Sequence, residues 1–105
     1  AELELHDEIV DWMASLDDTE WDRTVVVIDR LATLGSSARM PLSKSLGDGL
    51  FELRARSARG TTDTYRFTKD GRIILLTTFR KQRNNERNEI TRARKAAEDC
   101  AEQYP

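Results

Sequence analysis

The spacing of apolar positions divides this chain into a helical first part and a strand-rich second part. The alternation of polar and apolar residues over 2–5 predicts a short strand. Apolar residues then recur every three or four positions, which predicts two amphipathic helices. The first helix is predicted from Ile9, Val10, Met13 and Leu16, and the second from Trp21, Val25, Ile28, Leu31 and Ala32. Asp17, Asp18 and Thr19 are candidate N-caps of the second helix, and Gly35 is a candidate stop.

The period changes to two in the second part. Residues 35–49 are rich in Gly and Ser and predict a loop, whereas Phe51 and Leu53 alternate with charged residues and predict a strand. Asp70-Gly71 separates two apolar runs and predicts a hairpin with a two-residue turn. In that register one face carries Tyr65, Phe67, Ile74 and Leu76 and packs on the helices, and the other carries Arg66, Thr68, Ile73, Leu75, Thr77 and Phe79.

A final helix is predicted after Asn84-Asn85, which can cap it. Its apolar stripe consists of Ile90, Ala93, Ala97, Cys100 and Tyr104. The length of 105 residues is enough for one hydrophobic core, so residues 1–105 are predicted to form a single domain.

Charge is divided as unevenly as the hydrophobic pattern. Residues 1–53 hold 12 acidic and four basic side chains, a net charge of −8, and residues 54–105 hold 13 basic and seven acidic ones, a net charge of +6. The overall charge of −2 conceals this asymmetry. A basic half of this kind favours contact with nucleic acid or another polyanion.

Three features bear on where the protein works. The one cysteine, Cys100, cannot form an internal disulfide, which favours a reducing cytoplasm. The acidic N-terminal segment is unlike a signal peptide. No apolar run is long enough to predict a membrane span.

The candidate functional residues are cations of the basic half. By alternation Arg54, Arg56 and Arg66 lie on one sheet face, where a charge is costly unless it meets an anion or water. An aromatic ring and three cations then follow in the segment Phe79-Arg80-Lys81-Gln82-Arg83, a set suited to phosphate contact and base stacking. Two alternatives stay open. Arg54 and Arg66 could pair with internal carboxylates such as Glu52 or Glu89, and residues 79–83 could be a solvated connection.

Other chemistries find little support in the sequence. His6, the one histidine, is predicted at a helix start far from the basic half, which disfavours a catalytic role. The chain has no Cys-x-x-Cys pair, no metal-ligand spacing and no Gly-rich phosphate loop. We therefore expect no metal site and no cofactor.

Four motifs in order resemble the RelE superfamily, specifically its HigB-like, phage-derived branch of type II toxins. They are SLGDGLFELRAR at 45–56, TYRF at 64–67, IILLTTFRKQ at 73–82 and NEITRARKAAED at 88–99. The resemblance implies an α+β fold in which a curved, mainly antiparallel sheet carries two N-terminal helices on one face, with a C-terminal helix. It also implies a ribosome-dependent mRNA endoribonuclease that inhibits translation and is held in a hetero-oligomer by a helix-turn-helix antitoxin.

Residues carried over from the family motifs are Arg54, Arg66, Phe79 and Lys81, whereas Arg56, Arg80 and Arg83 are added because of their charge. The resulting hypothesis has Arg54 and Arg66 hold the scissile phosphate, Lys81 transfer a proton and Phe79 stack on a base. Two alternatives from other classes are a non-nuclease toxin of the same fold that poisons gyrase and an inactive, antitoxin-bound corepressor.

Overall fold

Five strands and three helices form in the part of the chain that the computed structural model describes, which is residues 1–54, 60–82 and 85–105. In chain order they are β1 (Leu3–Leu5), α1 (Asp7–Ala14), α2 (Asp18–Leu34), β2 (Ser43–Gly47), β3 (Leu50–Leu53), β4 (Thr61–Phe67), β5 (Ile73–Arg80) and α3 (Glu86–Gln103). The predicted α+β fold is confirmed.

The strands form one mixed sheet in the order β1-β5-β4-β3-β2. β1 runs parallel to β5, and the other neighbours are antiparallel. Helices α1 and α2 cover one face, as the sequence predicted. The buried core on this face consists of Ile9, Met13, Ile28 and Leu31 from the helices and Leu53, Tyr65, Ile73 and Leu75 from the strands.

The second helix begins and ends at the predicted positions, whereas α1 ends at Ala14, two residues before Leu16, which was predicted to be part of it. The side chain of Asp17 caps α2 by accepting a hydrogen bond of 2.8 Å from the Glu20 amide. Gly35 ends α2 with a φ of 54°, a conformation that favours glycine. His6 is the N-cap of α1, so it lies at a helix start as expected.

The predicted hairpin register is wrong by one residue. The turn has three residues, because the Thr68 amide donates to the Arg72 carbonyl at 2.8 Å and the Gly71 amide donates to the Thr68 carbonyl at 3.0 Å. Phe67 therefore lies opposite Ile73 and Tyr65 opposite Leu75. A one-residue slip exchanges the faces, so Ile73 and Leu75 join the core under α1 and α2.

The second face of the sheet, where the sequence analysis placed Arg66, is covered by the C-terminal helix. α3 lies across it, and a second core forms from Leu50, Ile74, Leu76, Ala93 and Cys100. The end of α3 is tied to the hairpin, since the Lys69 amide donates to the Pro105 carbonyl at 2.9 Å. Arg66, on this face, therefore lies beside a helix rather than on open sheet.

The segment 35–49 is only partly a loop, because residues 43–47 form the edge strand β2. The register with β3 shifts between Ser45 and Gly47, which is a bulge. Gly47 adopts a φ of 90° there. This bulge turns the backbone carbonyls of Leu46 and Gly47 toward α3, where Arg94 binds them.

Candidate nucleic-acid interface

A buried carboxylate contacts two cations at one end of the sheet face that α3 covers. The Glu52 side chain is 1% exposed, and its Oε1 lies 2.7 Å from Lys81 Nζ and 3.6 Å from Arg54 Nε. Glu86, at the start of α3, lies 3.7 Å from Lys81 Nζ and is half exposed. We call Glu52, Arg54, Lys81 and Glu86 the Glu52 cluster.

Strand pairing explains why these residues meet. Glu52 alternates with Leu53, which faces α1 and α2, so Glu52 points to the α3 side. Glu52 pairs with Thr64, and Thr64 pairs with Thr77, so β4 holds the ends of β3 and β5 in register. The hydroxyls of the two threonines are hydrogen-bonded at 2.6 Å.

The geometry of the cluster defines what it can do chemically. The ammonium group of a lysine in an ion pair with a carboxylate can hold a phosphate or give up a proton but cannot accept one. Arg54 and Lys81 are each more than a third exposed, so an anion can reach both. The ion pair of Arg54 with Glu52 agrees with the alternative that Arg54 pairs with an internal carboxylate.

Arg66 does not join this cluster. The strand register places Arg66 opposite Leu50, which is four residues, or about 13 Å, before Arg54 along the chain. Its Nη1 donates to the Tyr104 carbonyl at 2.6 Å and contacts Cys100 Sγ at 3.4 Å. The structure thus brings Arg54 and Lys81 together and places Arg66 apart from them.

Arg66 instead lines a groove of about 480 Å³ between α3 and the turn that joins β2 to β3. Arg94 reaches into the same groove from α3, and its Nη1 donates to the Gly47 carbonyl at 3.1 Å. We call this the Arg66–Arg94 groove. The sequence analysis missed Arg94, although its position four residues after Ile90 and three before Ala97 places it at the edge of the packed stripe.

The remaining candidates are less favourably placed or lie outside the described residues. Phe79 is 5% exposed and pairs with Thr62, so its ring offers little surface for base stacking. Arg80 is exposed at the end of β5 and has an interaction partner of its own. Arg56 and Arg83 lie outside the residues that the structure describes.

α3 is held over its face by an ion pair with α1. Arg92 Nη2 lies 3.0 Å from Glu8 Oε2, and the same carboxylate oxygen accepts a 2.8 Å hydrogen bond from the Thr78 amide. Hydrogen bonding to Glu8 raises the pKa of Arg92 above its usual range. Helix α1, strand β5 and helix α3 are thereby joined at one point beside the site.

A second buried carboxylate, Asp63, lies on the opposite face of the sheet. It is fully buried, and neither of its oxygens makes a well-formed hydrogen bond within the described chain. Burial raises the pKa of Asp63 to about 7, and the charge of Glu8 adds to this effect while the nearby Thr78 hydroxyl opposes it. The sequence analysis did not single out this residue.

Residues 1–54, 60–82 and 85–105 hold neither a metal site nor a membrane-spanning helix. No group of three or more His, Cys, Asp and Glu side chains in these ranges is arranged to hold a metal ion. None of the helices there is long and apolar enough to cross a membrane.

Residues 11–98 match the model of a protein family described as phage-derived protein Gp49-like. The fold is similar to that of three solved structures. The free E. coli toxin RelE, in a mutant lacking two arginines, matches with a TM-score of 0.61 at 15% identity, over 93% of this chain and 95% of that one. The archaeal RelE–RelB complex from Pyrococcus horikoshii matches with a TM-score of 0.59 at 21% identity, over 78% and 96%.

The third structure is the intact E. coli RelBE toxin–antitoxin complex, with a TM-score of 0.56 at 15% identity, over 78% of this chain and 98% of that one. Among curated proteins, no sequence gives a significant match.

Proposed function

Because this chain belongs to the Gp49-like family of phage-derived proteins and has the RelE fold, we propose that it is the toxin of a type II toxin–antitoxin system. The resemblance to the RelE superfamily that the motifs indicated is confirmed by the family match and the fold. The proposal adds an activity, which is ribosome-dependent cleavage of mRNA that stops translation in the cytoplasm. One observation carries it: Arg54 and Lys81 converge at an accessible edge of this fold.

Cleavage of RNA by its own 2′-hydroxyl requires a proton acceptor for that hydroxyl, stabilisation of the charge on phosphorus and a proton for the leaving 5′-oxygen. Arg54 stays protonated and suits the second role. The Lys81 ammonium suits the third role, the proton transfer that the sequence analysis gave it, and Glu52 holds it in place at 2.7 Å.

Glu86 is the carboxylate of the cluster that a substrate can reach, since it is half exposed and Glu52 is buried. We assign it as the proton acceptor for the 2′-hydroxyl. The products are a 2′,3′-cyclic phosphate and a 5′-hydroxyl, and the two protons end on Glu86 and on the leaving oxygen. Neither a metal nor an organic cofactor takes part in this scheme.

A protein partner follows from the same assignment. Two of the similar structures are complexes of RelE with RelB. We propose that a helix-turn-helix antitoxin binds this chain and that the pair forms a hetero-oligomer. Free toxin would then engage mRNA on the ribosome only when the antitoxin is removed.

The test is primer extension on a defined mRNA in a reconstituted translation system. Wild type, Lys81→Ala and Lys95→Ala are compared. Lys95 pairs with Asp99 on the exposed side of α3, so its replacement removes the same charge elsewhere. Cuts should appear with wild type and Lys95→Ala, only when ribosomes are present, and should fall by about 100-fold or more with Lys81→Ala.

Intact mRNA with wild-type protein would overturn the nuclease. If that protein still arrested growth, the gyrase poison would be the better hypothesis. If the protein were harmless alone and repressed transcription together with its antitoxin, the inactive corepressor would be the better hypothesis. Equal cleavage by Lys81→Ala and wild type would leave the nuclease standing and remove Lys81 from its site.

A further inference from the structure

The two arginines of the Arg66–Arg94 groove differ from the cations of the Glu52 cluster in how they are held. Arg66 binds the Tyr104 carbonyl and the Cys100 thiol, and Arg94 binds the carbonyls of Leu46 and Gly47. In the described part of the chain neither guanidinium forms an ion pair with a carboxylate. Carbonyls fix the position of a guanidinium but leave its formal charge in place.

The shape of the groove suits a ligand larger than a simple anion. Its volume of about 480 Å³ falls in the range of small-molecule sites. Gly49 lines it with a φ of 79°, and a Cβ at this position would meet nothing within 4 Å, so the wall beside the turn is open.

Its rim also carries charge of the opposite sign, from Asp48 and Glu98. Two arginines and two carboxylates in one groove suit a ligand that presents both an anion and hydrogen-bond donors. A nucleotide does so, because its phosphate is an anion and the amino groups of its bases donate to carboxylates.

We infer that the Arg66–Arg94 groove binds one nucleotide of the RNA strand, at a distance from the cleaved bond set by the four-residue offset between Arg66 and Arg54. The phosphate lies on Arg66 and Arg94, and the base faces Asp48 and Glu98. This inference rests on the proposed function, since it takes RNA as the substrate. It makes Arg94 an RNA-binding residue that the family motifs do not contain.

The test uses a fluorescent, 2′-O-methylated RNA of about ten nucleotides, which cannot be cut because it lacks the attacking hydroxyl. Its affinity is measured by anisotropy over a series of salt concentrations. Arg94→Ala should weaken binding by about tenfold and reduce the slope of log affinity against log salt by about 0.7, the value for one phosphate contact on a single strand. Lys95→Ala, one residue away and outside the groove, should leave the slope unchanged.

A second variant, Ala101→Glu, leaves both arginines intact and adds a carboxylate to the groove lining. It should also weaken binding by about tenfold with an unchanged melting temperature. Binding by Ala101→Glu at the wild-type level, or equal losses for Arg94→Ala and Lys95→Ala, would overturn the groove. The two proposals can be overturned separately. RNA binding without cleavage would contradict only the nuclease activity. Cleavage by wild type, together with unchanged RNA affinity of Arg94→Ala, would contradict only the role of the groove.

Discussion

Two buried carboxylates lie on adjacent strands, point to opposite faces of the sheet and have different surroundings. Glu52 is 1% exposed and meets Lys81 and Arg54 on the α3 side. Asp63 is fully buried against the apolar core under α1 and α2, with no well-formed hydrogen bond in the described chain, and its pKa is raised to about 7. Two carboxylates that are buried to a similar extent thus differ in the groups that surround them, which are cations at Glu52 and mostly apolar side chains at Asp63.

The surroundings explain the difference. The α3 face is open at the ends of β3 and β5, so long cationic side chains can reach Glu52 while their charged ends stay partly in water. The other face is closed by α1 and α2, and on it Asp63 lies between Leu53 and Thr78 of the neighbouring strands and next to Tyr65 on its own strand. A protonated Asp63 is therefore the more stable form at acidic pH.

The largest expected effect is the dependence of stability on pH that Asp63 creates. Below its ordinary value of 3.8 the carboxyl is protonated in both the folded and unfolded states. As pH rises toward 7, the unfolded chain releases this proton before the folded chain does, so stability falls, by up to about 4 kcal/mol from this group alone. The loss levels off once the folded carboxyl ionises.

Asp63→Asn should remove this slope and be more stable than wild type at pH 8. Urea unfolding of both proteins at a series of pH values measures the difference, with the exposed Asp11→Asn as the control. If the difference between Asp63→Asn and wild type stayed constant from pH 4 to pH 8, the raised pKa would be refuted.

Glu52→Gln is the same chemical change on the other face, and it should have the opposite sign at pH 8. It replaces a charge-assisted contact with a neutral one, so stability should fall by about 1–2 kcal/mol. RNA cleavage should fall by at least about tenfold because Lys81 loses the group that positions it. A Glu52→Gln protein as stable as Asp63→Asn would mean that the cations do not stabilise the buried charge.

The smallest change in stability is expected from Arg54→Ala. Its contact with Glu52 is 3.6 Å long and its side chain is 36% exposed, so stability should change by less than about 1 kcal/mol. Cleavage should still fall, because the arginine is proposed to hold the phosphate. Urea unfolding and primer extension on the same preparation test both parts, and a loss of stability without a loss of cleavage would give Arg54 a purely structural role.

The sequence pattern predicted the helices, the fold class and the side of the sheet that α1 and α2 cover. The prediction of the β4–β5 register failed because one sequence motif is compatible with two turn lengths. An Asp-Gly pair fits a two-residue or a three-residue turn, and the run Ile73–Leu76 is apolar at every position, so neither face of β5 was marked by a polar residue. The length of the turn therefore decided which residues of β5 share a face with Arg66, and these are Ile74 and Leu76.

The site shows a similar division. Arg54 and Lys81 were found from motif and charge, whereas their meeting on Glu52 requires the pairing of three strands. Asp63 could have been found, because it is two residues before Tyr65 and four before Phe67 and so shares their buried face. Arg94 was harder to find, since only the bulge at Gly47 gives it carbonyl partners.

The parallel pairing of β1 with β5 affects how the chain folds. Leu3 pairs with Ile73, a separation of 70 residues, and the adjacent edge of the sheet cannot close until that contact forms. On a ribosome adding about 5–20 residues per second, the first strand waits several seconds for its partner to be synthesised. Pairings this distant in sequence slow folding, so we expect the N-terminal strand to dock last.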